Sequence, residues 1–296
     1  MSPNPCYGLT TFRLAYRLAN ILPRPVSQAL ADFIGRTSYR FKKTSREALR
    51  ENLRLVTGKE GAELDDLCRA NFANFVKMLA DYFYSTGAGG KHAGNLLEKW
   101  SGLENLEGAI ARGKGIILIT GHLGNWELGG ILLALRKMPI TVVTLEEPTT
   151  ELTRWRDDYR RKYGIKTIMV GTEKFSFVEM IQTLRRNETV AMLVDRPYAG
   201  SGTPVRFFGR ETLFSSAPAL LWQHTGATVL PAFVLQNAKG RYLSFADTAI
   251  PMERHDDQRE AIAINTQHIA SAFETIIRKY PEQWFNYVPI WKENEN

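Results

Sequence analysis

An α/β protein with a mostly parallel or mixed central sheet flanked by helices, and with a helical N-terminal region, is the fold class that this chain of 296 residues predicts. Three observations predict it. Short β-branched runs alternate with helix-favouring ones after residue 115, apolar residues recur at spacings of three and four before residue 86, and Gly87-Ala88-Gly89-Gly90 separates the two regimes. A helical, membrane-interfacial region over 1–88 and an α/β body over 89–296 are therefore expected, joined as one continuous structural unit.

Taken in order, the chain opens on an amphipathic pattern from Leu9 to Phe41. Phe12, Leu14, Leu18, Ile21 and Leu22 are interleaved with Arg13 and Arg17, Leu22-Pro23-Arg24-Pro25 breaks the helix, and Val26, Leu30, Phe33, Ile34 and Phe41 resume it beside Arg36, Arg40, Lys42 and Lys43. Asp32 is the only acidic residue before Glu47. A basic face beside an aromatic and aliphatic one suits a helix lying in a bilayer interface. It also suits an ordinary helical pair packed on a domain. No run of 18 or more uncharged apolar residues suggests a membrane-spanning helix, and no signal-peptide pattern is present.

Ser45 to Leu55 and Gly61 to Ser85 read as two further helices, the second with Phe72, Phe75, Leu79 and Phe83 on one face. In the body, strands are predicted at Gly115 to Ile119, Ile140 to Leu145, Lys166 to Val170, Thr189 to Val194, Thr228 to Val234 and Tyr242 to Ala246. Helices are predicted at Leu128 to Arg136, Glu151 to Tyr163, Phe175 to Arg186, Pro218 to Gly226 and Arg259 to Lys279. Gly200 to Phe214 reads as a loop or hairpin.

Composition narrows the partners. Lys+Arg outnumber Asp+Glu by 38 to 31, for a net charge of +7, which favours acidic ligands such as phospholipid headgroups, phosphorylated glycolipids, coenzyme A, acidic carrier proteins or nucleic acid. Cys6 and Cys68 show no metal-ligand or disulfide spacing, and neither a metal nor a cofactor is expected.

Chemistry is expected where the first body strand gives way to a helix, at Thr120-Gly121-His122-Leu123-Gly124-Asn125-Trp126-Glu127, because open α/β sheets place ligands at the carboxyl ends of their strands. His122 and Glu127 lie five positions apart, a rotation of roughly 500° on an ideal helix. They meet only if His122 precedes the helix and Glu127 sits in its first turn. An imidazole held by a carboxylate is a general base able to take a proton from an alcohol. No Gly-x-Ser-x-Gly nucleophile elbow is present, so direct attack by an activated hydroxyl on a thioester is the simpler scheme. Asp195 closes a buried strand at the end facing the site, where it positions substrate or an arginine, or caps a turn. Arg206 with Phe207-Phe208 lines a pocket in one reading and belongs to the core in the other.

The run Gly113-Lys114-Gly115, Ile116 to Thr120 and Gly-His-Leu-Gly-Asn-Trp-Glu-Leu-Gly-Gly resembles the bacterial lipid A biosynthesis (lauroyl/myristoyl) acyltransferases, within the lysophospholipid acyltransferase-like enzymes that carry a His-x4-Asp/Glu motif. Leu22-Pro23, Glu51-Asn52-Leu53, Gly102-Leu103-Glu104-Asn105-Leu106, Val194-Asp195, Phe207-Phe208-Gly209 and Pro281-Glu282-Gln283-Trp284 occur in the order that family has them. The resemblance implies a glycerolipid acyltransferase-like fold and transfer of a fatty acyl chain from acyl carrier protein or coenzyme A to a hydroxyl of a membrane glycolipid or lipid A precursor. It also implies the cytoplasmic face of the cell inner membrane, without nucleic acid; many members of the family carry a membrane-spanning anchor, and the basic amphipathic region here makes peripheral or monotopic attachment the expected mode. His122 is then the general base and Glu127 its partner. Arg160, or its neighbour Arg161, binds a phosphate or the developing oxyanion, and Asn125 joins Asp195 and Arg206 among the substrate-binding residues.

Two segments depart from the family pattern. Tyr287-Val288-Pro289-Ile290-Trp291-Lys292 stands where lipid A acyltransferases carry a His-Arg-Arg-Trp-Lys run, and Glu146-Glu147-Pro148 where they are more basic. A lysophospholipid or another lipid alcohol is therefore an alternative acceptor. A thioesterase, or a non-catalytic anionic lipid- or nucleic-acid-binding protein on the same fold, is the competing class.

Overall fold

The protein was analysed as a computed structural model, which describes residues 8–87, 91–171, 175–197 and 202–291. Four helices come first: α1 (Leu9–Ile21), α2 (Arg24–Phe41), α3 (Lys43–Thr57) and α4 (Gly61–Ser85). Pro25 in the first turn of α2 is where a helix tolerates proline, so Pro23 and Pro25 end one helix and start the next. The apolar stripe of α2 divides. Ala31, Gly35 and Tyr39, four apart, are buried against α4, whose backbone lies so near that a Cβ on Gly35 would stand 2.4 Å from Ala73 Cα. The opposite stripe remains in solvent.

The body follows as α5 (Lys91–Leu96), β1 (Leu97–Ser101), α6 (Leu103–Ala111), β2 (Ile116–Thr120), α7 (Trp126–Leu135), β3 (Ile140–Thr144), α8 (Thr150–Lys162), β4 (Lys166–Met169), α9 (Ser176–Arg185) and β5 (Thr189–Leu193). A hairpin of β6 (Thr203–Phe207) and β7 (Arg210–Phe214) leads to α10 (Ala217–Thr225), β8 (Thr228–Gln236), β9 (Tyr242–Ala246) and α11 (Gln258–Lys279). The seven-stranded sheet has the order β1-β9-β8-β2-β5-β3-β4 and is parallel at every pairing except β8 with β9. Alternating strands and crossover helices give this mostly parallel, helix-flanked sheet, as expected from the sequence.

Strand β1 was not legible in the sequence. Leu97-Glu-Lys-Trp-Ser lacks apolar alternation, and at the sheet edge, paired with β9, its Glu98 and Lys99 stay exposed.

Alternation across the sheet sorts the core into two clusters. Ile117, Ile119, Val190 and Met192 face one way, toward α9 and α11, while Ile116, Leu118, Leu230 and Val234 face α7. The N-terminal helices feed both, Leu53 and Phe72 into the first and Phe12, Tyr82 and Phe83 into the second. The expected boundary at 88/89 lies outside the described residues. Among the described residues no helix is long and apolar enough to cross a membrane.

Candidate active site

The site forms at the carboxyl ends of β2 and β5. These neighbours pair in parallel with Thr120 opposite Leu193, and the ladder continues through Val194 N–H to Thr120 O at 3.0 Å. Two residues beyond the last pair, His122 therefore stands beside Asp195. The imidazole Nδ1 lies 2.8 Å from Asp195 Oδ1, and the backbone N–H of His122 donates to Oδ2 at 3.0 Å. The Asp195 side chain is fully enclosed, whereas His122 keeps 26% of its side-chain surface and opens into a cavity of about 820 Å³. Burial pushes the Asp195 carboxyl up, but His122, Arg196 and the backbone donor outweigh it and hold it at about 2. An anionic Asp195 favours the imidazole tautomer with its proton on Nδ1, which leaves the ring lone pair on Nε2.

A tight turn makes this approach possible. Gly124 has φ +64°, and a Cβ there would stand 2.2 Å from Val234 O, so any side chain would collide with the β8 backbone. Asn125 then caps α7, its side-chain oxygen accepting from Leu128 N–H at 3.0 Å.

Glu127 sits in the first turn of α7, as the spacing argument required, yet it does not meet His122. Its Oε1 accepts from Arg160 Nη2 at 2.7 Å and Arg156 Nη2 at 3.3 Å. The two arginines are four apart on α8 and project from one face onto α7. Arg156 also pairs with Glu147. Burial pushes the Glu127 carboxyl up, and the two guanidinium groups bring it below its ordinary value. The partnership of His122 with Glu127 is therefore corrected: Asp195 takes the imidazole, and Glu127 takes the arginines.

A further contributor arrives from the C-terminal end. Trp284 Nε1 and Asn286 Nδ2 each donate to Asp195 Oδ2 at 3.0 Å, and Phe285 N–H donates to His122 O at 2.7 Å. Arg196 lines the cavity and donates through Nη2 to Phe285 O at 2.7 Å.

Much of the cavity lining is apolar. On the α7 side of the sheet it is floored by Leu118, Ala191, Ala232, Ser244 and Ala246, and it reaches Trp100 on β1. Strand register places Trp100 opposite Ser244, and Ala246 opposite Ala232. The Arg136 guanidinium covers the Trp100 ring at 4.5 Å from its centroid.

Comparison with known proteins now bears on this arrangement. A model of the family described as bacterial lipid A biosynthesis acyltransferase matches residues 6–293. The chain belongs to that family. The phosphatidylinositol mannoside acyltransferase of Mycolicibacterium smegmatis is 27% identical over 282 residues, covering 95% of this chain and 90% of that protein. Its namesake in Mycobacterium tuberculosis is 28% identical over 248 residues, covering 83% and 77%. The lipid A biosynthesis palmitoleoyltransferase of Escherichia coli is 25% identical over 295 residues, covering 95% and 90%. This chain is accordingly an acyltransferase of the lipid A biosynthesis acyltransferase family.

Within this family member the sequence-predicted residues separate clearly. His122, Glu127 and Arg160 line one cavity, with Asp195 directly behind His122. Three others do not reach it. Arg161 points to solvent, paired with Asp157 and with Asp158 at 3.7 Å, because one position along α8 turns it away from Arg160. Arg206 is exposed on β6, where its backbone bonds Gln267, while Phe207 is fully buried and stacks on Trp291. Asn125 is buried, its side-chain oxygen committed to the helix cap. Arg156, Arg196, Trp284 and Asn286 were missed. Two carried a signal: Arg156 stands one helical turn before Arg160, and Trp284 ends the run Pro281-Glu282-Gln283-Trp284.

Proposed function

We propose that this acyltransferase moves a fatty acyl chain from a carrier-protein or coenzyme A thioester to a sugar hydroxyl of an anionic membrane glycolipid, with His122 as general base. One observation carries the reading: an imidazole whose Nδ1 is tied to a buried carboxylate at 2.8 Å, while its other edge faces a cavity much of whose lining is apolar. Nε2 takes the hydroxyl proton as the oxygen attacks the thioester carbonyl. The C–O bond forms, the C–S bond breaks, and the imidazolium returns the proton to the leaving thiolate. Arg160 and Arg156, charge-balanced by Glu127 and Glu147, line the cavity as a preorganised guanidinium cluster suited to hydrogen-bonding a phosphate of donor or acceptor.

The relatives named for phosphatidylinositol mannoside and for lipid A favour a glycolipid acceptor over a lysophospholipid. The test is incubation with an acyl thioester and three acceptors in turn: a mannosylated phosphatidylinositol, a lipid A precursor and a lysophospholipid, with products read by mass spectrometry. Acyl glycolipid is expected. Transfer to lysophospholipid alone, or release of free fatty acid whatever the acceptor, would refute the proposal.

Chain length follows from the apolar lining. Three interstrand steps separate β2 from β1, roughly 14 Å at the usual spacing, room for a chain of about a dozen carbons. Trp100 lines the cavity from β1, at that end of the path. In competition among thioesters of graded length, Trp100→Ala is expected to move the preference toward chains about two to four carbons longer, by removing the side chain at that end. An unchanged preference would place the acyl chain elsewhere.

We assign the protein peripherally to the cytoplasmic face of the inner membrane, and the outer faces of α1 and α2 support the contact with a bilayer. Ile21, Phe33 and Phe41 are 77%, 68% and 79% exposed, and Leu14, Leu18, Val26 and Leu30 continue the stripe beside exposed Arg13, Arg17, Arg36 and Arg40. Each large side chain contributes about 1.5–3 kcal/mol on entering an apolar phase. The double variant Ile21→Asp, Phe33→Asp is expected to reduce co-sedimentation with anionic vesicles at least tenfold and to leave the melting temperature unchanged. Equal sedimentation of variant and wild type would assign the anchor to another surface.

A further inference from the structure

The C-terminal segment Gln283 to Asn286 threads between the N-terminal helices and the strand ends that bear His122 and Asp195. Leu123 and Trp284 form an isolated antiparallel bridge, Gly124 N–H donates to Gln283 O at 2.9 Å, and Phe285 N–H donates to His122 O at 2.7 Å. From the other side, Asn71 on α4 donates to Trp284 O at 2.8 Å and Asn52 on α3 to Asn286 O at 3.0 Å. Both asparagines are buried, as are Trp284 and Asn286. The strap is therefore pinned along its length by the N-terminal helices while its side chains meet the catalytic carboxylate.

Asp195 Oδ1 serves the imidazole. Oδ2 accepts from the His122 backbone, from Trp284 Nε1 and from Asn286 Nδ2, each at 3.0 Å. Asn286 is bifunctional, because its side-chain oxygen also accepts from Arg196 Nε. Neither Trp284 nor Asn286 lines the cavity, so neither touches substrate there.

We propose that Trp284 and Asn286 are positioning residues: by donating to Asp195 Oδ2 they fix the carboxylate plane and set how strongly it holds the proton on His122. This rests on the reading of His122 as the base. Donors on Oδ2 draw negative charge away from the imidazole side, and without them Asp195 presents more charge to His122 and favours the imidazolium. The charged and titratable groups that act on the carboxylate are His122 and Arg196, and Tyr287 in turn faces Arg196. Burial keeps Arg196 below its ordinary value and Tyr287 well above its own. From α3 and α4 the strap meets the neutral amides Asn52 and Asn71.

The sign is then determined. Losing a donor on Oδ2 moves the acidic limb of the pH–rate profile toward higher pH, since the base must lose its proton before it works. The experiment measures kcat and KM for acyl transfer against pH in full-length wild type, Asn286→Ala, Asn286→Asp and Trp284→Phe. Asn286→Asp keeps an oxygen that accepts from Arg196, and it replaces the donor by an acceptor oxygen that brings negative charge beside Oδ2. An acidic limb raised by about one unit, and more in Asn286→Asp than in Asn286→Ala, is expected. A fall in kcat on the order of tenfold to a hundredfold should accompany it, with KM for the acceptor nearly constant.

If every soluble variant overlays the wild-type limb, or if all three fail to fold, the strap is structural and the proposal is overturned. Failure of the underlying reading looks different: His122→Ala would retain wild-type turnover. A dead His122→Ala beside unshifted strap variants sinks the positioning role alone.

Discussion

His122→Ala is expected to lower the rate of acyl transfer by on the order of 10²–10⁴-fold while leaving the fold intact. The rate falls because no other imidazole lines the cavity, and the neighbouring cations, Arg156, Arg160 and Arg196, stay protonated at working pH and accept no proton. Stability is spared because the side chain is partly exposed and Asp195 keeps its donors from the His122 backbone, Trp284 and Asn286. Single-turnover transfer from a labelled thioester, alongside a thermal melt, separates the two quantities. Turnover at the wild-type rate would eliminate His122 as the base.

Glu127→Ala should act through stability first. The carboxylate lies between Arg160 and Arg156, with side-chain exposures of 10% for Glu127, 8% for Arg160 and 14% for Arg156. Removing it leaves Arg160 a buried cation with no counter-charge, at a cost of about 3–5 kcal/mol. At the usual proportion for a large domain, that lowers the melting temperature by roughly 10 °C. Arg156 retains Glu147 and loses less. The companion variant Glu127→Leu, Arg160→Met removes both charges and is expected to recover most of the loss. The outcome also arbitrates between two roles for Glu127. Were it the partner of His122, as its five-residue spacing suggests, Glu127→Ala would reduce turnover with little change in melting temperature.

The two pairs around the site show where local pattern stops being informative. The strand-to-helix turn at His122 was legible because strand period, glycines and helix start are all local signals, and each shapes only the backbone beside it. That His122 ends up against Asp195, 73 positions away, follows from the parallel register of β2 and β5. Register is a property of two segments together. Arg160 was recognisable by its place at the end of a charged helix, whereas its separation from Arg161 needed the orientation of α8 on α7. Trp284 drew attention in the C-terminal run, but its indole N–H found a partner only once the strap had crossed the strand ends.

Strand β1 and Trp100 make the same point for the substrate path. A polar five-residue segment carries no periodic signal, yet its place in the sheet brings its single tryptophan into the cavity lining. Similarly, the amphipathic stripe over Leu9 to Phe41 was readable as a pattern with two candidate partners. Packing divided it, with Ala31, Gly35 and Tyr39 against α4 and Phe33 and Phe41 in solvent.

By itself, then, the sequence determined the alternation that makes this an α/β sheet, the turn that presents His122 at a strand end, and a basic amphipathic entry. Each of these depends on residues within a few positions of one another. Tertiary structure alone decided that Asp195, and not Glu127, orients the imidazole, that Glu127 holds two arginines, and that the C-terminal strap backs the carboxylate. Those outcomes depend on strand register and helix packing across the whole fold, where the energy of burying a charge or a donor selects its partner.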